Sequence, residues 1–436
     1  MGGIKMKQRY DSYKPSGIDW IGEIPEHWQR TRIKYNISRS AAGVWGEDPK
    51  GDENDIICFR IADFDYSHGN ICLDKIISRN IDTKQLIGRH ANQGDLLIEK
   101  SGGGEVTPVG RVVMCNYSGD ATYTNFIHGI SLKDSIDSKF MLYYFNMLYS
   151  NKINLLFFNQ TTGLQNLQVG DYLSQTIYIP NITEQKSIVF WLDKKCGEID
   201  AAIEKVNKEI ALLDELKQSE ISRVVTRGLN PDVPLRPSGI DWIGDIPSQW
   251  RVIKLKYAMD LINGRAYLQP ELQANGKYRI LRVGNFFTND AWYYSDMELE
   301  ADKYCENGDL LYAWSASIGP YIWQDEKVIF HYHIWKVNLK PFMDLKYSYY
   351  LLDVLTNVKK NDMHGSAMQH LTMENMNNST IVCPPLVEQE AIVLYLDKKC
   401  SEIDVLKAKL TSKLEALKML RQSIISEVVT GKRKVV

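Results

Sequence analysis

Two short runs carry side chains suited to gripping a phosphate or reading a base edge: Lys100-Ser101-Gly102-Gly103-Gly104 and Trp314-Ser315-Ala316-Ser317. Each follows a strand-like segment. Glycine allows close backbone approach, while Lys, Ser and Trp offer a charge, a hydroxyl and an aromatic face. Hairpin turns favour the same residues, so that alternative stays open. Arg60 and Arg282 occupy matching places beside Asp63 and Asn285. Arginine is the usual reader of guanine edges, yet Arg60 can equally close an internal bond with Asp63. Thr161-Thr162-Gly163-Leu164-Gln165 and Gly365-Ser366-Ala367-Met368-Gln369 join small hydroxyl and glycine residues to a glutamine. These runs suit a polar ligand, or a turn capped by its own side chains. His331 and His333 flank Tyr332 without accompanying acidic ligands, which favours a packed or base-facing role over a metal site.

Enzymatic signatures are missing. The glycines at 102–104 are not followed by the Gly-Lys-Ser/Thr of a phosphate loop, and no Gly-x-Gly-x-x-Gly follows a strand. No Asn-Pro-Pro-Tyr-like run of an amino-methyltransferase occurs. Asp95 with Glu99-Lys100 resembles a nuclease carboxylate cluster only weakly, because Glu99 and Lys100 are adjacent and a strand sends neighbours to opposite faces. The seven cysteines have no paired ligand spacing, so neither a zinc site nor a disulfide framework is expected.

The elements that must position these runs are duplicated. Asp193-Lys194-Lys195-Cys196 returns as Asp397-Lys398-Lys399-Cys400, a shift of 204 residues from Cys196 to Cys400 that holds without a gap from Glu184 to Thr226. Leu192, Ile199, Val206 and Leu213 recur every seven positions in the first copy, and Leu396, Ile403, Leu410 and Leu417 in the second. That spacing predicts two long amphipathic helices, each about 60 Å long for ~40 residues, with a seam that needs a partner. The nearest partner is the other copy, paired antiparallel. A second repeat, Pro15-Ser16-Gly17-Ile18-Asp19-Trp20-Ile21-Gly22-Glu23-Ile24-Pro25, returns at 237–247 with only Glu23 changed to Asp245. Trp28 and Trp250 follow the two copies, and the segment reads as a strap that packs an aromatic onto a domain.

Between strap and helix, strand-like runs at 56–61, 95–98 and 111–114 match runs at 278–283, 309–312 and 327–330 in order but hardly in sequence. Helical stretches follow at 140–149 and 347–358. The shift falls from 222 at the strap to 204 at the helix, so the first segment carries 18 extra residues. The expected architecture is α+β: two mixed, strand-rich globular domains (1–183 and 229–387), a spacer helix (184–228), a C-terminal helix and tail (388–436), and an internal pseudo-twofold repeat.

A hydrophobic content of 44% and a charged content of 24% suit a soluble globular chain, and no apolar run approaches membrane-spanning length. A cytoplasmic location without a membrane partner is expected. The net charge of −2 lacks the basic excess common in nucleic-acid binders, so basic residues must cluster or a partner must supply phosphate contacts.

Together, the repeated strap, Gly94-Asp95-Leu96-Leu97, Thr162-Gly163-Leu164-Gln165, Pro384-Pro385-Leu386-Val387-Glu388-Gln389-Glu390 and the Asp-Lys-Lys-Cys helix resemble a specificity (S) subunit of type I restriction-modification systems. The resemblance covers essentially the whole chain. It implies that each globular domain is a target-recognition domain for one half of a split, asymmetric double-stranded DNA target, with the helices spacing the domains and binding methyltransferase (M) subunits. It also implies that this chain binds no cofactor. S-adenosylmethionine, ATP and Mg would belong to the modification subunits and to restriction (R) subunits where present. A self-contained nuclease and a coiled-coil adaptor without DNA binding are the competing readings.

Overall fold

The computed structural model describes residues 9–161, 163–287, 289–362 and 371–435. The fold is α+β with an internal repeat. The chain divides into two compact units, Met1–Val206 with Ser412–Val436, and Asn207–Thr411. Each unit therefore holds part of both long helices, Ile182–Arg227 and Leu386–Val429.

In the first unit the strap is a pair of short antiparallel strands, Tyr13–Pro15 and Glu23–Pro25. Trp28 beside it is 1% exposed, and its indole N–H donates to Glu184 Oε1 at 3.2 Å. Tyr10 and His27 also bond Glu184, at 2.7 and 2.8 Å, so the carboxylate at the start of the first long helix is saturated by the strap region. The end of the second long helix arrives at the same tryptophan. Gly431 takes φ +73°, and a Cβ there would lie 2.3 Å from Pro25 Cδ and 3.4 Å from Trp28. Glycine at this place both closes the helix in the left-handed conformation and clears the strap.

The second unit repeats the device with the helices exchanged. Trp250 Nε1 donates to Glu388 Oε2 at 2.9 Å, and Gly228, at φ +74°, would place a Cβ 2.9 Å from Glu388 Oε1 and 3.1 Å from Trp250. The neighbouring glutamines are equivalent too. Gln185 accepts from Asp137 N at 2.8 Å and donates to Pro180 O at 2.9 Å; Gln389 accepts from Asp344 N and donates to Pro384 O at the same distances. Both are fully buried, and each ties a long helix to the strand before it and to the start of its unit's own helix. The repeated aspartates serve that contact as well: Tyr143 and Lys139 donate to Asp193, and Tyr350 and Lys346 to Asp397.

The helices run antiparallel within each unit. Arg421 bonds Asp200 at 2.8 Å in the first; Lys217 bonds Asp404 at 2.8 Å and Lys407 bonds Asp214 in the second. Leu192, Ile199, Val206, Leu396 and Ile403 are buried, whereas Leu213, Leu410 and Leu417 are half-buried. Leu192, Cys196 and Ile199 join one core with Ile424, Ile425, Val428 and Val429. Leu396 and Cys400 join another with Ile221, Val224 and Val225. The seam is not sealed everywhere: Leu212, Leu216 and Leu406 are exposed around a groove of about 420 Å³ in the second unit.

The sheets agree in plan. In the first unit Ile37–Ala42, Ile127–Leu132, Leu96–Glu99 and Val112–Met114 lie side by side; in the second, Met259–Asn263, Ile334–Leu339, Leu310–Ala313 and Gly319–Ile322 take the same order. Each unit also has a parallel pair beside this sheet, Asp55–Phe59 with Ala121–Tyr123 and Tyr278–Leu281 with Val328–Phe330, and in the first unit Val112–Met114 runs parallel to Asn70–Ile71 as well. The helices expected from sequence are slightly longer in the structure, Ser138–Ser150 and Leu345–Asp362. Among the described residues no helix is long and apolar enough to cross a membrane.

Candidate nucleic-acid interface

Six matching hydrogen bonds fix the loops at one edge of each sheet. In the first unit Gly43 N donates to Ile127 O, Val44 N to Tyr123 O, Lys100 N to Phe126 O, Thr124 N to Phe59 O, Ile127 N to Thr124 O, and Arg60 N to Asp63 Oδ2. In the second, Gly264 N donates to Ile334 O, Arg265 N to Phe330 O, Trp314 N to His333 O, His331 N to Leu281 O, Ile334 N to His331 O, and Arg282 N to Asn285 Oδ1. Gly43 and Gly264 are required for this approach, since a Cβ would lie 2.1 Å from Tyr123 O and 2.4 Å from His331 O, respectively. One backbone frame thus presents two unlike sets of side chains.

In the first unit the frame carries a cation and separate aromatics. Lys100 is half-buried, Phe126 is 41% exposed, and Trp45 is exposed beneath the Arg79 guanidinium, 4.4 Å from the ring. Arg60 is turned inward: it makes two bonds to Asp63, at 2.7 and 3.2 Å, and a third to Lys75 O. Ser101 and Gln165 are buried. Ser101 Oγ donates to Asn166 Oδ1, and the Gln165 amide accepts from Val109 N and donates to Gly104 O, so both hold the glycine loop from beneath. Gly102 and Gly103 take φ +125° and +62°, and a Cβ on Gly103 would meet Val109 N at 2.7 Å. The Thr161 backbone pairs with Leu164, while Thr162 lies outside the described residues.

In the second unit the same places are aromatic. Trp314 donates its indole N–H to Tyr332 O at 2.7 Å, and its ring lies 5.0 Å from His333 and 6.1 Å from Trp335. His331 packs against Tyr332 and His333 at 4.5 and 4.8 Å and stacks on Tyr267 at 6.3 Å. Ser315 is buried and Ser317 is exposed. Arg282 is exposed over the Tyr293 ring with no ion pair among the described residues, because Asn285 stands where Arg60 has Asp63. Gly365, Ser366 and Gln369 lie outside the described residues. Trp45 and Phe126 escaped the sequence reading, which met Tyr332 only as the residue between His331 and His333; the signal that could have found them was Gly43 and Gly264, each closing a strand-like run.

Asp95 and Glu99 are both engaged internally. Arg39 and Ser131 bond Asp95, while Arg111 bonds both oxygens of Glu99, at 2.8 and 3.2 Å. No cluster of His, Cys, Asp or Glu able to hold a metal ion occurs among the described residues.

The sequence profile of the type I restriction modification DNA specificity domain matches residues 77–212 and 247–416, well over half of the chain. This chain belongs to that family. Among curated relatives it is similar to the type I restriction enzyme MjaVIII specificity subunit of Methanocaldococcus jannaschii, at 23% identity over 94% of both chains. It is also similar to the putative MjaX specificity subunit of the same organism, at 22% identity over 95% of this chain and 96% of that one. Two solved structures share the fold of the specificity family. One belongs to a study of complex assembly and conformational transition of the type I R-M system (TM-score 0.70, 16% identity, 93% of this chain and 98% of that chain). The other is the HsdS subunit from Thermoanaerobacter tengcongensis (TM-score 0.50, 17% identity, 94% and 98%).

Two half-buried histidines, His128 on the strand Ile127–Leu132 and His331 beside Tyr332, make stability depend on pH. Burial, aided by Lys100, pushes His128 down to about 4. Burial, aided by His333 and Arg282, pushes His331 down to about 4. Between pH ~6.5, where an unfolded histidine protonates, and about 4, the unfolded chain binds more protons, so stability falls as pH falls through that window. A declining melting temperature from pH 7 to 4.5 is expected, with a shallower decline in the His128→Gln/His331→Gln double variant. An unchanged slope would place the acid sensitivity elsewhere.

Proposed function

We propose that this chain is the DNA-reading subunit of a type I restriction-modification complex, and that each unit reads one half of a split, asymmetric target. The supporting observation is the shared hydrogen-bond frame with different side chains: Lys100 and Phe126 on one copy, Trp314 and His333 on the other. Equal frames dock on the duplex in the same manner, and unlike side chains select unlike bases. Exposed Arg282 is suited to a guanine edge, and the Trp314–Tyr332–His333 cluster to apolar and stacking contacts.

The long helices set the separation of the half-sites and dock the methyltransferase subunits, with exposed Leu212, Leu216 and Leu406 offering apolar area to a partner. Catalysis resides in those partners. S-adenosylmethionine serves methyl transfer to adenine, and ATP and Mg serve cleavage where a restriction subunit is present. A location in the cytoplasm, beside the DNA, follows from this role. The internal pairing of Asp95 and Glu99 disfavours a self-contained nuclease. The unlike side chains on one frame have no explanation in an adaptor.

The test is duplex binding and adenine methylation by the chain co-purified with its modification subunits. Sequence-specific methylation at a bipartite motif, with DNA left intact by the chain alone in Mg, is the expected result. Cleavage by the chain alone, or no DNA binding in the complex, would overturn it.

A further inference from the structure

The loop after the strand Leu96–Glu99 spans twelve residues, 100–111, in the first unit; its counterpart after Leu310–Ala313 spans five, 314–318. The added length builds a braced arm. Ser101 and Gly102 pair with Asn166 and Gln165, buried Gln165 bonds Gly104 and Val109, buried Asn154 bonds Val109 O at 2.7 Å, and Tyr149 OH bonds Pro108 O at 3.0 Å. Gly104 N donates to Thr107 O at 3.0 Å and closes the end, so that Glu105 and Val106 form the tip. Val106 is 94% exposed and Glu105 is exposed.

Neither tip side chain can grip a phosphate: valine has no polar side-chain atom, and a carboxylate is repelled by the backbone charge. What they can do is read base edges. Valine suits the thymine 5-methyl, and a carboxylate accepts from an exocyclic amine. We propose that Glu105-Val106 is a base-reading probe of the first unit. Val106 packs against a thymine methyl, and Glu105 accepts a hydrogen bond from the exocyclic amine of a neighbouring base. This rests on the reading of the chain as DNA-binding. The five-residue loop of the second unit has no such arm, so the probe acts on one half-site only.

The test is genome-wide methylation mapping with the complete complex carrying the unaltered chain, V106S, V106A, E105A or E105Q. V106S and V106A should lower discrimination at one base pair of one half-site by about tenfold, E105A and E105Q should do so at an adjacent pair, and the other half-site and spacer should not change. Melting temperatures should stay constant, because both side chains are exposed. An unaltered motif in all four variants would overturn the proposal. So would an equal loss at every site with the motif unchanged, which would make the tip a contact to a protein subunit. If the unaltered complex shows no split motif at all, the DNA-reading function itself fails, and the probe with it.

Discussion

Four residues inserted into both long helices, within about one turn of the same level, will lengthen the unread spacer of the DNA target by one or two base pairs and leave both half-site sequences intact. Four helical residues rise by about 6 Å, just under two base-pair steps of ~3.4 Å. They also make slightly more than one turn, so the apolar seam continues as a stutter and does not rotate to the outside. The insertions belong between Val206 and Asn207 and between Thr411 and Ser412, where the division between units falls and neither unit's own contacts are interrupted. Each added base pair turns the duplex by about 35°, so methylation should also slow. Inserting into one helix alone should fail, because the Arg421–Asp200 and Lys217–Asp404 pairs could no longer both keep their register. An old spacer retained by the double insertion would remove the helices from any measuring role.

Trp28→Ala will destabilise the first unit by about 3–5 kcal/mol, the usual range for deleting a large buried aromatic. Trp28 is 1% exposed and meets both Glu184, at the start of one long helix, and Gly431, at the end of the other, so its loss loosens two helix termini. A fall in melting temperature of roughly 10 °C is expected for a unit of this size. Trp28→Phe keeps most of the apolar volume and gives up the indole hydrogen bond, so it should cost about 1–2 kcal/mol. Equal, small effects of Ala and Phe would show that the strap is not what secures the helix ends.

The long helices were legible because little in the sequence competes with the pattern: a seven-residue apolar repeat, no internal proline, an interior glycine at 197 alone, and a glycine just past each end. The duplicated strap and the packing of its tryptophan were equally plain, since Trp28 and Trp250 are buried, although the helix residue that each indole meets was not. That Glu184 and Glu388 receive the strap tryptophans requires residues 156 and 138 positions apart to meet, and no local pattern encodes such a pairing. The division of the chain was hidden for a related reason. Each unit combines the start of one helix with the end of the other, so a boundary falls inside a continuous periodic segment. Within the candidate interface, residue type could not tell an inward hydroxyl from an outward one. Ser101 and Gln165 brace the glycine loop from below, whereas Ser317 on the counterpart loop is exposed. Arg60 and Arg282 look alike in sequence, and the residue three positions on separates them: Asp63 captures one guanidinium, while Asn285 leaves the other exposed.

The most direct measurement is an exchange of residues 36–180 for the equivalent segment of a relative with a different target, followed by mapping of methylated adenines in cells that also carry the modification subunit. One half-site should change to that of the donor, while the other half-site and the spacer stay as they were. A change in both half-sites, or in neither, would contradict two independent reading surfaces on one repeated frame.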